Sequence, residues 1–567
     1  MAKYTLYQSH HIHNIREMLE QSVSAYGTLP AFYQKTEGEY KAFTYAKFKS
    51  DVDALGTELC ARGFGGARVI VLGENSYRWC VSYMTVIAGL GTVIPVDKEI
   101  PAEEVANIAR ISEASLILYS QKYTIKTEYL DKSVECISFD ELDALIEMGL
   151  ERIGNGEKAY RDRSIDIDAM SVLIFTSGTT GVSKGVMLSQ RNLCTNLENV
   201  AKMISVSPAD TALSVLPLHH VYECTCGFLF PLSRGASVAF SESVRHIMSN
   251  AREIQPTKML CVPLLIETMY RKIWTNIRKK GIEEKVKTVI RLTNRVKPYA
   301  ARMALKKKMF AEIHKSFGGK LDLLVSGGAP IDPQVLRGMR DFGFHIIQGY
   351  GLTEAAPLAA VNHDTYFLDR SAGLALPGGE LRIDSPAEDG TGEICYRGDN
   401  VMLGYFGRQD LTDEIKKNGW LYTGDLGYID ENGFLIITGR KKNVIVTAGG
   451  KNIFPEELEA YLMRDPAVAE CVVIGVINEK KNDYDIVACI RPDLAYVAET
   501  MGKDATDEKI AQRLDEAVKK VNATVQTYKH IHGTVMRQEE FPKSSSKKIK
   551  RFEVAPEIEA AYLSKQQ

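Results

Sequence analysis

The stretch Thr176-Ser177-Gly178-Thr179-Thr180-Gly181-Val182-Ser183-Lys184-Gly185 gathers small hydroxyl residues and glycines ahead of a single lysine. Glycines let the backbone approach an oxyanion closely, and hydroxyls, amides and the Lys184 ammonium can donate to it, so the chemistry suggested is phosphate binding. Ser183 stands where a Walker loop has glycine, so this is a different kind of phosphate segment. It lies between two apolar runs, 172–176 and 185–188, which read as strands. The expected object is a mobile flap joining two strands, in place of a loop that opens a helix.

Short β-branched runs recur at 68–72, 115–119, 236–240, 259–262 and 321–325 and alternate with helical patterns. That alternation predicts α/β layers around largely buried sheets. From about 378 to 428 the texture changes to short strands and turns, as in a small β-rich subdomain. Beyond Gly439-Arg440 a new unit begins, with a helix start at Pro455-Glu456-Glu457, strands at 471–476 and 486–490, a helix over 507–521 and a strand near 534–538. The fold class expected is therefore α/β: a large N-terminal domain of layered sheets and helices with a β-rich subdomain, then a small α+β domain.

The 567 residues exceed what one core supports. With 45% apolar and 25% charged residues and a net charge of −2, the chain has no overall field to attract nucleic acid. Its ten cysteines are scattered and read as buried hydrophobes of a reducing compartment. Cys224 and Cys226 follow His219 and His220, but their spacing matches no zinc pattern. The run 79–96 is broken by Gly89, Gly91 and Pro95 and reads as a buried helix followed by a strand at 93–96. With no signal-peptide pattern near residue 1, the expectation is a cytoplasmic protein.

Further segments follow in a fixed order: Ser326-Gly327-Gly328-Ala329-Pro330, Tyr350-Gly351-Leu352-Thr353-Glu354, Tyr422-Thr423-Gly424-Asp425, Gly439-Arg440, and a late lysine segment 541–551. With the 176–185 loop, this set resembles the signatures of the adenylate-forming superfamily, in its long-chain acyl-CoA synthetase branch. The resemblance implies ATP-dependent activation of a hydrophobic, medium- to long-chain fatty acid to acyl-AMP, then transfer to coenzyme A with release of AMP and pyrophosphate. It leaves two alternatives standing: loading of an acyl carrier protein, and an aromatic or other non-fatty acid. It also implies an AMP-binding domain over 1–440 and a mobile lid over 441–567.

Several of these residues have jobs that chemistry alone can state. Glu354 supplies a hard carboxylate oxygen for Mg²⁺ bridging phosphates. Asp425 is an acceptor suited to ribose hydroxyls, and Arg440 is a fixed fork for ribose or phosphate. Tyr350 offers a flat face for adenine, although a core tyrosine reads the same way. The resemblance adds Thr176, Ser177, Gly178, Thr179, Thr180, Gly181, Lys184, Gly328 and Gly351 to the nucleotide site, Thr179 to the Mg²⁺ site, and Thr353 beside Glu354. It aligns Lys548 with the catalytic lysine (Lys547 replacing the usual glycine), Lys442 with the hinge, and Gly449 with the pantetheine tunnel, where a turn glycine would read alike. Charge builds on the phosphoryl oxygens as a carboxylate attacks, and a positioned ammonium such as that of Lys548 stabilises it.

The acyl-pocket stretch Leu216-Pro217-Leu218-His219-His220-Val221-Tyr222-Glu223 lacks the aspartate by which amino-acid-activating relatives hold an ammonium, so an amino acid substrate is disfavoured. His220 is the residue expected over the substrate carboxylate, with core packing an equal reading. The insert 271–308 carries fourteen basic residues and only Glu283 and Glu284 as acids. It reads either as a solvated helical face or as a peripheral contact with an anionic inner-membrane surface.

Overall fold

The structure is a computed structural model describing all residues except 1–3, 124, 177–183, 450, 480, 482, 503, 544–548 and 566–567. Ser177, Gly178, Thr179, Thr180, Gly181 and Lys548 therefore lie outside the described residues.

Two large sheets dominate. One has nine strands, ordered Leu374–Ala375, Leu358–Val361, His345–Gly351, Leu323–Ser326, Lys258–Cys261, Thr211–Ser214, Ser237–Phe240, Pro30–Thr36 and Glu39–Thr44. Its strands from His345–Gly351 to Pro30–Thr36 pair in parallel. The other has seven strands, ordered Gly404–Tyr405, Lys184–Ser189, Met170–Thr176, Gly91–Val96, Ala67–Leu72, Leu116–Tyr119 and Glu135–Ser138. The continuous apolar runs follow from burial on both faces. In Ala67–Leu72, Val69 and Val71 enter one apolar cluster while Ile70 and Leu72 enter another. The 79–96 run resolves as helix Tyr77–Thr85, a π-helical turn Val86–Leu90 and strand Gly91–Val96.

The β-rich segment forms a five-stranded sheet, with Gly392–Arg397 and Trp420–Ile429 at its centre and Leu435–Arg440 paired to the latter. A helix, Gln409–Ile415, interrupts it. Past Arg440, strands Val468–Asn478 and Asp483–Pro492 form an antiparallel pair, with Gly533–Met536 added in parallel. That parallel addition needs a crossover, which helix Asp507–Asn522 supplies. Helices Leu494–Met501 and Arg551–Ser564 went unread in the sequence. Two apolar clusters draw their residues from 445–562 alone. Polar contacts tie this part to the rest: Arg464 Nε lies 2.7 Å from Asp332 Oδ2, the N-cap of helix Pro333–Asp341.

The basic insert folds as helices Pro263–Lys279, Glu283–Thr293 and Tyr299–Met309. Ile273, Ile277 and Val286 are buried in a core cluster, and Trp274, Val289 and Ile290 pack against it. Lys306 is also internal, 2% exposed, with its ammonium 2.8 Å from Asp341 and donating to Asn294 Oδ1. These six apolar positions thus belong to the helices' inner faces, whereas Leu292 and Leu305 are exposed. No described helix is long and apolar enough to cross a membrane.

Candidate active site

The flap's base is well defined. Thr176 ends strand Met170–Thr176 and pairs in register with Lys184, which begins strand Lys184–Ser189. The latter strand runs directly into helix Gln190–Met203 through a capping box: Ser189 Oγ accepts from the Asn192 amide, and Asn192 Oδ1 accepts from the Ser189 amide. One turn apart on that helix, Asn192 and Asn196 point the same way. Asn192 Nδ2 donates to the carbonyls of Asp399 and Val401, while Asn196 Nδ2 donates to those of Ala355 and Leu358. Asn400 Nδ2 donates to the same two carbonyls at 2.7 Å. These amides hold the turn Thr353–Ala355 and the segment leading to strand Gly404–Tyr405, which pairs with strand Lys184–Ser189.

Glu354 and Lys184 meet there through Tyr405. The tyrosine hydroxyl donates to Glu354 Oε1 at 2.7 Å, and the Lys184 ammonium sits 5.1 Å from the centre of the same ring. Burial, then the negative charge of Glu354, raises the Tyr405 pKa, so it stays a donor. Among the described residues the other Glu354 oxygen has no hydrogen-bond partner. A hard oxygen beside a cation and a phosphate-type loop fits a divalent ion such as Mg²⁺. Gly351 is required locally, since a Cβ there would lie 2.3 Å from the Pro357 carbonyl oxygen. Gly328, at φ +83°, turns the chain as it leaves strand Leu323–Ser326.

A second cluster surrounds Asp425. Asp425 and Arg440 are directly paired across neighbouring antiparallel strands, with Arg440 Nε 2.9 Å from Asp425 Oδ1. The Tyr350 hydroxyl donates to Asp425 Oδ2 at 2.7 Å. The Tyr350 ring is 7% exposed, and its visible task is to orient that carboxylate. Burial and then the Asp425 charge push the tyrosine pKa well up. Lys442 joins this neighbourhood: burial, followed by repulsion from Arg440, lowers its pKa, and the fields of Asp425, Lys184 and Arg551 also reach it. Arg440 thus pairs with the carboxylate while Lys442 senses both, an arrangement suited to an anionic ligand.

Beside Tyr222 and Val325 lies an apolar cavity of about 50 Å³. The Tyr222 ring, which lines it, packs so closely on Gly327 that a Cβ there would come within 2.7 Å. The cavity runs between one face of the nine-stranded sheet (Ala212, Leu260, Leu323, Val325) and the helices carrying Val200 and Phe230. Lys258 and Asp210 stand at its far end. His220 is not among the lining residues; its ring lies 4.2 Å from that of His219. Burial, then His220, lowers the His219 pKa to about 3, leaving it neutral. Gly449 is exposed, and among the described residues a Cβ on it would meet only Thr447 Oγ1 at 3.9 Å. The late segment is closed at its base by a Lys543–Ile549 bridge and by the Lys550 amide donating to the Pro542 carbonyl. Arg551 anchors it with two hydrogen bonds to Glu459.

The sequence model of the AMP-binding enzyme family matches residues 19–406, and that of the AMP-binding enzyme C-terminal domain matches 457–548. The chain belongs to the AMP-binding enzymes. It is 28% identical to the long-chain-fatty-acid–CoA ligase FadD15 of Mycobacterium bovis over 94% of each chain, and 28% identical to a long-chain-fatty-acid–CoA ligase of Escherichia coli O157:H7 over 86% of this chain and 87% of that one. Among solved structures it is similar in fold to o-succinylbenzoate CoA synthetase from Bacillus subtilis in complex with ATP and magnesium ion (TM-score 0.71, 22% identity, 94% and 98% covered). In this AMP-binding enzyme, Asn196, Asn400 and Tyr405 form part of the site without having been singled out in the sequence. Asn196 and Asn400 carried one weak signal, polar amides inside apolar segments. Tyr405 carried none, because only strand pairing brings it to the site.

Proposed function

We propose that this AMP-binding enzyme activates a hydrophobic carboxylic acid, a medium- to long-chain fatty acid, with ATP and passes it to coenzyme A. The substrate carboxylate attacks the α-phosphorus; a carbonyl-oxygen-to-phosphorus bond forms and the bond to pyrophosphate breaks. The CoA thiolate then attacks the acyl carbonyl and AMP leaves. Thr176 and Lys184, with the flap residues 177–181, take the phosphates. Asp425 and Arg440 take the ribose, with Gly328, Tyr350 and Gly351 at the adenine. Glu354, beside Thr353 and with Thr179, would hold Mg²⁺, which neutralises charge on the phosphate oxygens. Lys548 stabilises charge on the α-phosphoryl group, and His220 closes over the carboxylate. Lys442 is the hinge on which residues 441–567 turn relative to 1–440, bringing Gly449 to the pantetheine.

The observation that carries this reading is the cavity: an apolar space whose lining Tyr222 packs on Gly327, next to Gly328, so that a buried hydrocarbon chain would point its carboxylate that way. The exposed cations of the insert, including Lys279, Lys280 and Lys308, support a peripheral contact with the inner membrane surface of the cytoplasm, from which such acids arrive. AMP release across fatty, aromatic and amino acids, with and without CoA or a holo-carrier protein, tests the reading. Release with fatty acids that rises with CoA is expected. Release only with amino acids, or acceptance of the carrier protein alone, would overturn it.

A further inference from the structure

One side chain in the cavity is out of character with its walls. Glu223 is the second residue of the π-helical turn Tyr222–Leu229 and is 1% exposed. Its Oε1 accepts from Ser214 Oγ at 2.6 Å, and Asn75 Nδ2 in turn donates to that same Oγ at 2.9 Å. Its Oε2 is buried with no hydrogen-bond partner. Gly227 makes room for the carboxyl, since a Cβ there would lie 2.7 to 2.8 Å from its atoms. An unpartnered buried polar atom is costly, and a plain hydrocarbon chain alongside would leave it so.

Position along the cavity follows from strand register. Leu213 is level with Met259, and Met259 with Leu324, so Ser214 is level with Val325, two residues before Gly327. The carboxyl therefore lies at the Gly327 end, with the stretch down to Asp210 and Lys258 beyond it. Burial pushes the Glu223 carboxyl up to about 8, so at neutral pH it is protonated and can either donate or accept.

We propose that Glu223 is a specificity-determining residue that selects acids bearing a hydroxyl or oxo oxygen on the chain near the carboxylate, with an apolar tail beyond, over unsubstituted acids of equal length. This rests on the acid-activating reading above. A chain oxygen would complete the hydrogen bonding of Oε2, and its absence would leave a buried group unpaired. Sites built to bond a substrate hydroxyl discriminate strongly against analogues lacking it.

The test compares hexadecanoic acid with its 2-, 3-, 4- and 5-hydroxy and 3-oxo derivatives and with 3-aminohexadecanoic acid. The wild type, Glu223→Gln and Glu223→Leu are each assayed for AMP release, and for the rise in melting temperature that each acid produces. In the wild type, at least one oxygenated acid should exceed the plain acid in kcat/KM about tenfold or more. Glu223→Gln should keep most of that ratio, and Glu223→Leu should abolish or invert it. Because ratios are taken within one variant, partial loss of folded protein cancels. A wild type that prefers the plain or the amino acid, or a ratio unchanged in Glu223→Leu, overturns the proposal. Turnover of plain acids without any hydroxyl preference sinks this inference and leaves the ligase reading standing. A hydroxyl-selective melting shift lost in Glu223→Leu, without AMP release from any acid, supports the inference while the ligase reading fails.

Discussion

Tyr405 joins the two catalytic candidates of opposite charge, donating to Glu354 while its ring faces Lys184. Tyr405→Phe keeps the ring and removes only the donor. A hydrogen bond to a charged group contributes about 1.5–3 kcal/mol, so a loss of roughly tenfold or more in AMP formation is expected, with a higher Mg²⁺ requirement and a melting temperature close to wild type. Steady-state rates over a Mg²⁺ series check this; unchanged rates would reduce Tyr405 to packing. Glu223 makes a different prediction at the same scale. Its folded pKa of about 8 lies above the ordinary carboxylate value, so the native state binds the extra proton. Stability from this group is fully present below the unfolded pKa and is lost as pH rises toward and through about 8. Glu223→Gln removes that titration, so its melting temperature should gain on wild type from pH 5 to pH 8. Parallel melting curves across that range would refute it.

The helices of the basic insert show how one element carries two kinds of lysine. Lys279, Lys280, Lys285, Arg291 and Lys308 are exposed, whereas Lys306 is sealed against Asp341 and Asn294. Reversing the five exposed cations to Glu should abolish binding to anionic vesicles at low salt, at about 1 kcal/mol per cation, with turnover of a short water-soluble acid retained. Vesicle co-sedimentation decides it, and equal binding by both proteins would leave only a solvated face. Lys306→Glu is expected to behave otherwise. It replaces a buried pair with two buried acids, and breaking such a pair costs about 3–5 kcal/mol, so poor recovery of folded protein should follow. Fourteen basic residues were legible in the sequence, but which were buried was not. Burial depends on the partner helix Pro333–Asp341 and its terminal Asp341.

Across the whole molecule, the charges of Arg440, Asp425, Lys184 and Arg551 all reach Lys442, and Gly449 is exposed. With Lys442 as the hinge, Lys548 and Gly449 both lie beyond it in the chain, and each serves one half-reaction. Two variants should therefore separate the half-reactions. Lys548→Ala should abolish AMP formation from acid and ATP yet spare thioester formation from supplied acyl-AMP, because its charge matters only while the phosphoryl group is reacting. Gly449→Leu should do the reverse, leaving adenylation and stopping CoA transfer. Rapid-quench measurement of each half-reaction decides; both steps failing together in either variant would rule out the division of labour.

The order of local signals determined much of this protein in advance: the Thr/Ser/Gly flap, the acid at 354, the 425–440 pair and the layered α/β texture. Each depends on residue type and near spacing, which a linear chain displays directly. Strand pairing and packing decided the rest. Tyr405 reaches Glu354 because strand Gly404–Tyr405 adds to the edge of Lys184–Ser189 across more than two hundred residues of chain, as the register Tyr405↔Val186 records. Glu223 faces an apolar cavity because a π-helical turn lies over a sheet whose strands come from three distant segments. Such contacts are set by the free energy of burying whole faces together, and no local window of sequence contains both partners.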